Sequence, residues 1–261
     1  MITTGRLVAF VAGIIFAAAA SLLTINAMRS QPSPADVASQ PANGDFIRTY
    51  LLKNPEIIRD ALFELERRKA EAEQKERFAT IDQNKSILFD STRQAVLGNP
   101  KGDVTLVEFF DYNCGYCKRV LGDMNRLIDE YPNLRIVLKE FPVLGQGSVE
   151  AAQVATAVNM IAPEKYDAFH QALLTTKGRA NGAKAIAVTE QIGIDQAALT
   201  KALKDPEIGA TLDESYGLAK SLELTGTPSY VIGEEIVFGA VGYDELKTKI
   251  DDIRACGSTS C

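Results

Sequence analysis

The chain has 261 residues, 46% apolar and 24% charged, the composition of a folded protein of one large or two small domains rather than a disordered one. A net charge of −6 and a pI near 5.0 argue against a nucleic-acid partner. His170 is the single histidine and Trp is absent. Metal sites built on several imidazoles are therefore excluded, and any Ser-His-Asp triad has to run through that one residue.

Leu7 to Met28 is an uncharged run, LVAFVAGIIFAAAASLLTINAM, between Arg6 and Arg29. About 20 apolar residues suffice to cross a bilayer as a helix. The same run fits a secretory signal, with Leu7–Phe16 as its apolar core and Ala18 and Ala20 in an A-x-A pattern. Residues 1–29 are thus a cleaved signal or an anchor, and either exports the rest, with Arg6 on the cytoplasmic side. Residues 30–44, with Pro32, Pro34 and Pro41 among small polar residues, read as a linker. Outside the cytosol disulfides persist, so a Cys pair there is structural or redox-active.

Phe46, Ile47, Tyr50 and Leu51 form a short apolar stripe at helical spacing. Asn54-Pro55-Glu56 reads as a new helix start, with Asn54 as N-cap and Pro55 at the first helical position. Ile57, Ile58, Ala61, Leu62 and Leu65 continue one face, with Phe63 beside it. From Glu66 to Arg77 large apolar residues stop. Opposite charges instead recur four apart, as in Glu64 and Arg68, Arg67 and Glu71, Lys69 and Glu73, Glu71 and Lys75, and Glu73 and Arg77. Residues 45–82 therefore read as an apolar helical patch on a solvated stalk. They are an oligomerisation element or, alternatively, a helix folded back on its own domain.

Ser86–Phe89 and Ala95–Leu97 read as short strands, separated by Gly98–Gly102, a turn cluster, from Val104–Phe110. That last run is almost continuously apolar, β-branched and aromatic, as a strand covered on both faces requires. A helix is expected from about Gly115 to Tyr131 and a strand over Leu134–Leu138, giving a β-α-β unit. Residues 147–222 are Ala-rich and helical in pattern. Ser229–Ile232 and Glu235–Phe238 are two short strands, and Tyr243 to Arg254 a last helix.

The chemistry concentrates in Asp111-Tyr112-Asn113-Cys114-Gly115-Tyr116-Cys117-Lys118-Arg119. Two residues between the cysteines allow a small disulfide ring on the first turn of a helix, with the first thiol facing solvent and the second inward. The unpaired N–H groups and partial positive charge of a helix N-terminus, with Lys118 and Arg119 nearby, should hold Cys114 as a thiolate below the free value of about 8.5. The thiolate is the attacking and leaving species in disulfide exchange. Half of a zinc site and an inert disulfide are the competing readings, zinc needing two further ligands from His170, Cys256 and Cys261.

GNPKGDVTLVEFFDYNCGYCK, LKEFPVLG and TGTPSYVIG, in that order over residues 85–254, resemble the DsbA family of thiol–disulfide oxidoreductases. The apolar patch and stalk further resemble its trimeric, ScsC-like (suppressor of copper sensitivity) branch. The resemblance implies an α/β protein with a thioredoxin fold and an inserted helical domain, preceded by the N-terminal helical stalk. The thioredoxin-like parts would be 83–146 and 223–255, the insertion 147–222 and a tail 256–261. It implies Cys114 as nucleophile, Cys117 as resolving cysteine, and Thr227-Pro228 as a cis-proline loop whose backbone edge pairs with substrate. Glu108 would be an acid moving a proton to or from the buried cysteine, with Lys139 as its partner; a Glu at a strand edge reaching water is the alternative. No organic or metal cofactor is implied. The expected partners are cysteine-containing protein substrates, a membrane redox partner and two further copies joined through residues 45–65, in the periplasm.

The family's strongest oxidants carry Pro-His between the cysteines, whereas this chain has Gly115-Tyr116. That substitution predicts a Cys114 pKa above the ~3.5 of the extreme case and a potential less oxidising than its ~−120 mV. It leans toward an oligomeric isomerase or reductase kept reduced by a membrane donor. A monomeric oxidase recycled by a membrane quinone reductase, and a copper-binding or chaperone-like envelope protein using paired soft thiolates, are the alternatives. Cys256 and Cys261 close the chain as a tail disulfide or as a second redox or metal-delivering pair. His170 is expected on a helix surface or in packing.

Overall fold

The computed structural model describes residues 44–261; the expected signal or anchor at 1–29 and nearly all of the linker at 30–44 lie outside them. Among the described residues no helix is long and apolar enough to cross a membrane. The chain divides into two units, one ending at Arg67 and one running Arg68–Cys261.

The first unit holds α1 (Gly44–Lys53) and the start of α2 (Glu56–Gln83). Asn54 closes α1 rather than capping α2: its backbone N–H and its side-chain amide both donate to the Tyr50 carbonyl, at 3.0 and 2.8 Å. Phe46, Tyr50, Leu52, Ile58, Leu62, Phe63 and Leu65 are all exposed. Along the stalk, Lys69 and Arg77 both pair with Glu73, at 4.0 and 3.7 Å. Such exposed pairs contribute only about 0.2–0.5 kcal/mol each.

In the second unit, residues 85–90 form a short helix, α3 (Lys85–Asp90), where a strand over Ser86–Phe89 was expected. A four-residue apolar run carries no periodicity that separates the two states. Leu88 decides it: its N–H bonds the Asn84 carbonyl at 2.8 Å and its side chain is fully buried. A five-stranded sheet follows, ordered β1-β3-β2-β4-β5, with β1 Ala95–Gly98, β2 Val104–Phe110, β3 Leu134–Glu140, β4 Ser229–Ile232 and β5 Glu235–Phe238. β2 is central, parallel to β3 and antiparallel to β4. Gly98, at φ 70°, ends β1 where a Cβ would sit 2.5 Å from the Leu134 carbonyl oxygen. Only glycine fits that approach.

β2 is apolar save for Thr105 and Glu108 because both faces are covered. Leu106 and Phe110 enter one core with Met124 and Leu127 of α4 (Gly115–Glu130) and Leu246 and Ile250 of α10 (Tyr243–Cys256). Val107 and Phe109 enter the other, with Leu88, Val137, Val231 and Leu218. Each fully buried side chain of this size contributes roughly 1.5–3 kcal/mol. Between β3 and β4 come α5 (Gln146–Ile161), a 3₁₀ turn (Pro163–Lys165), α6 (Tyr166–Leu174), α7 (Gly182–Gln191), α8 (Gln196–Ala202) and α9 (Pro206–Ser221). Small residues let α5 pack closely: Ala151, Ala155 and Ala157 are fully buried. Cys256 and Cys261 form a disulfide in the tail.

Candidate functional site

The chain leaves β2 through a tightly bonded turn. Asp111 is buried, and its carboxylate accepts from the Asn113 N–H at 2.7 Å, the Ser148 hydroxyl at 2.8 Å and the Leu144 N–H at 2.9 Å. Asn113 in turn donates to Ser148 and the Ala180 carbonyl and accepts from the Ala180 N–H at 2.7 Å. This Asx-type turn anchors the strand-to-helix junction to the start of α5 and to the segment before α7. Sequence reasoning passed over both residues, although an Asp and an Asn directly ahead of the Cys pair are the signal for such a turn.

Cys114 is the N-cap of α4, with extended backbone (φ −74°, ψ 116°), and its sulfur accepts from the Cys117 N–H at 3.5 Å. Gly115 then begins the helix. Opposite lies the Thr227–Pro228 peptide, which is cis, with the Thr227 carbonyl 3.1 Å from Cys114 Sγ. Cys114 is only 5% exposed, so it does not face solvent openly as expected; the loop covers it. Cys117 is buried beneath it, and both thiols are free.

The two sulfurs are driven apart in acidity. The Cys117 thiol, then the Thr227 side chain and the backbone N–H groups of Cys117 and Tyr116, hold Cys114 down at about 5 against the opposing effect of burial. Charge-stabilising hydrogen bonds of this kind favour the anion. Arg119 instead lies over the exposed Tyr116 ring, 4.7 Å from its centroid. Cys117 is pushed up by its bond to Cys114, by burial and by the Glu108 charge.

Glu108 lies in β2, buried, on the same sheet face as Cys117. Burial first, then the Cys114 charge, raises it to about 8. It does not reach water at a strand edge. It lines a cavity of about 10 Å³ with Cys117, Asn125 and His170, room for about one water molecule.

Lys139 is not the partner of Glu108. In the parallel register Glu108 sits opposite Leu138 and Phe109 opposite Lys139, so strand alternation sends the two side chains to opposite faces. Lys139, fully buried, donates to the Ile87 carbonyl at 2.7 Å and pairs with Glu214 of α9 at 3.2 Å. Its role is to tie α3 and α9 to the sheet.

A second buried acid, Glu140, shares the Glu108 face and was not anticipated. It accepts from the Tyr166 hydroxyl at 2.9 Å, and burial raises it well above the carboxylate range. His170 is buried, in packing, the second of its two expected places, with its ring stacked on that of Tyr166.

Comparison with known proteins agrees with this geometry. Residues 105–251 match the DSBA-like thioredoxin domain family, and residues 44–72 match the Copper resistance protein ScsC N-terminal domain. A thioredoxin-like oxidoreductase from Silicibacter pomeroyi is 40% identical, covering 66% of this chain and 99% of its own, with a TM-score of 0.63. The thiol-disulfide exchange protein alpha-DsbA2 of Wolbachia pipientis is 32% identical, covering 70% and 98%, at 0.65. The catalytic domain of Proteus mirabilis ScsC is 27% identical, covering 68% and 98%, at 0.62. Among curated proteins, the Na(+)/H(+) antiporter NhaA 1 of Salinispora arenicola is 23% identical over 166 residues, 62% of this chain and 25% of the antiporter. The chain spans about a quarter of the length of the curated relatives it matches. With its described Cys-Gly-Tyr-Cys helix start, mixed sheet and inserted helices, this chain belongs to the DSBA-like thioredoxin domain family, and its fold is that of the DsbA-type thiol–disulfide oxidoreductases.

Proposed function

We propose that the chain exchanges disulfides with cysteine-containing proteins through Cys114 and Cys117, in the direction of reduction or isomerisation. The observation that carries this reading is the sulfur of Cys114, held at about 5 on a helix N-cap beside a resolving thiol. At neutral pH it is a thiolate, the species that attacks disulfides. Attack on a substrate disulfide breaks that S–S bond, forms a mixed disulfide at Cys114 and releases one substrate thiolate. A second substrate thiol then displaces Cys114, which is isomerisation. Alternatively Cys117 passes its proton to the Glu108 carboxylate, attacks Cys114 Sγ, and releases the second substrate sulfur as thiolate, which is reduction.

A shallow groove of about 250 Å³ lined by Tyr116, Thr225, Thr227, Pro228 and Phe238 adjoins the sulfur. Its exposed aromatic rings and backbone edge suit an extended peptide carrying the target cysteine. The value near 5 lies above the ~3.5 of the most oxidising relatives, which supports a milder oxidant served by a membrane electron donor in the periplasm. The expected result is that the protein with reduced glutathione restores a scrambled-disulfide substrate faster than glutathione alone. Recovery no faster than glutathione alone overturns the reading.

The exposed apolar residues of α1 and early α2, in the segment matching the ScsC N-terminal domain, support assembly into a homotrimer through residues 45–65. An apolar face of this kind usually marks an interface. Deleting residues 45–65 should convert the trimer to monomers of unchanged Cys114 reactivity, as read by light scattering. A monomer before the deletion, or a trimer after it, overturns this assignment.

A further inference from the structure

One of the buried titratable residues that the mechanism above leaves unused shares the cavity of Glu108 and Cys117. His170, on α6, is 2% exposed. Its ring is clamped edge-on by Phe110, centroids 4.8 Å apart, and stacked at 20° on Tyr166. Nδ1 lies 3.3 Å from the Tyr112 hydroxyl. The Tyr112 hydroxyl also faces Glu140 and Tyr166; where it donates to Nδ1, the ring proton sits on Nε2. The ring also lines the small cavity that holds Glu108 and Cys117.

We propose that His170 is a positioning residue for the resolving step: pinned by Tyr112, it offers a fixed Nε2–H to the shared cavity, stabilising the Glu108 carboxylate that accepts the Cys117 proton. The titratable groups around it are Glu108 of β2, Tyr112 beyond that strand, Cys117 of α4, Glu140 of β3 and Tyr166 of its own helix. Burial lowers His170 to about 3, so the ring is neutral throughout the working range and acts as a permanent donor rather than a switch. The inference rests on the exchange reading, and its experiment separates the two.

Reduced protein mixed with an aromatic disulfide, 5,5′-dithiobis(2-nitrobenzoate), releases one thionitrobenzoate when Cys114 attacks. It releases a second when Cys117 gives its proton to Glu108, attacks Cys114 Sγ and closes the Cys114–Cys117 disulfide. Followed by absorbance across pH, the first phase reports Cys114 and the second the proton transfer. His170→Phe keeps the ring and removes the N–H. Its second phase should slow about tenfold at neutral pH, with the midpoint moved up by about one pH unit, while the first phase holds. His170→Gln retains an N–H donor and should recover most of the loss. Tyr112→Phe, which removes the pin, should shift the second phase in the same direction as His170→Phe. A second phase unchanged in His170→Phe overturns the proposal; should that variant not fold, an unchanged profile in Tyr112→Phe does so. A wild-type protein with no second phase overturns the exchange reading itself.

Discussion

Cys114→Ser brings disulfide exchange down to the uncatalysed background, while Cys117→Ser stops reduction half-way and leaves the isomerising route open. The first variant removes the only sulfur whose surroundings, the Cys117 thiol above all and then Thr227 and two backbone N–H groups, hold it as an anion near pH 5. A serine hydroxyl in the same place stays protonated and is no leaving group for a sulfur nucleophile. Cys117 is raised instead and lies inward, so it does not take over the attack. With Cys117 replaced, Cys114 still reacts, and a substrate with no second thiol remains attached as a mixed disulfide visible as an added mass. The same thiolate sets the pH profile: alkylation of Cys114 rises with a midpoint near 5 and is flat above it. Scrambled-substrate rescue surviving in Cys114→Ser, or a midpoint near the ordinary thiol value of 9.0, would remove the basis of the proposed function.

Glu108→Gln changes how stability depends on pH, and with a sign that follows from the site. Glu108 is raised from 4.5 to about 8 in the folded state. It therefore carries more protons folded than unfolded between those values, and its contribution, full below 4.5, is lost as pH rises toward 8. Cys114 is lowered from 9.0 to about 5. Its contribution runs the other way, present above 9 and lost as pH falls through 5. Each slope is at most about 1.4 kcal/mol per pH unit, and in the reduced protein they offset one another between pH 5 and 8. In chemical denaturation Glu140, raised by burial, and His170, lowered by it, add slopes shared by wild type and variants, so the test is the difference between curves. Glu108→Gln removes one arm, so between pH 5 and 8 reduced-state stability rises with pH relative to wild type. Cys114→Ser removes the other, so stability falls with pH relative to wild type, less steeply because the Cys114 charge no longer adds to the burial that raises Glu108. Parallel curves for wild type and Glu108→Gln would show that Glu108 is not the buried acid described.

What could be read from the chain alone was local. Val104–Phe110 announces a strand buried on both faces because every position is apolar save Thr105 and Glu108. Cys114-Gly-Tyr-Cys117 sits at a strand-to-helix junction, and most of what lowers Cys114, the Cys117 thiol first and the backbone N–H groups of Cys117 and Tyr116 after it, lies within three residues of it, Thr227 being the distant exception. Those features depend on neighbours in sequence, so composition, period and spacing suffice to place them. The family resemblance named Thr227-Pro228 as the facing loop, and its backbone does lie against Cys114.

Packing between distant segments decided the rest. Ser86–Phe89 is helical because Leu88 has a slot in the second core, which no four-residue pattern encodes. Lys139 parts from Glu108 because the β2–β3 register places Glu108 against Leu138; one residue of slip would have joined them. Asp111 and Asn113 become the anchors of the reactive turn only once Leu144, Ser148 and Ala180 arrive from far along the chain. His170 and Glu140 were ordinary residues of a helix and a strand until α6 closed over the sheet. Buried polar groups must find partners, and for these the partners are supplied only by the tertiary structure.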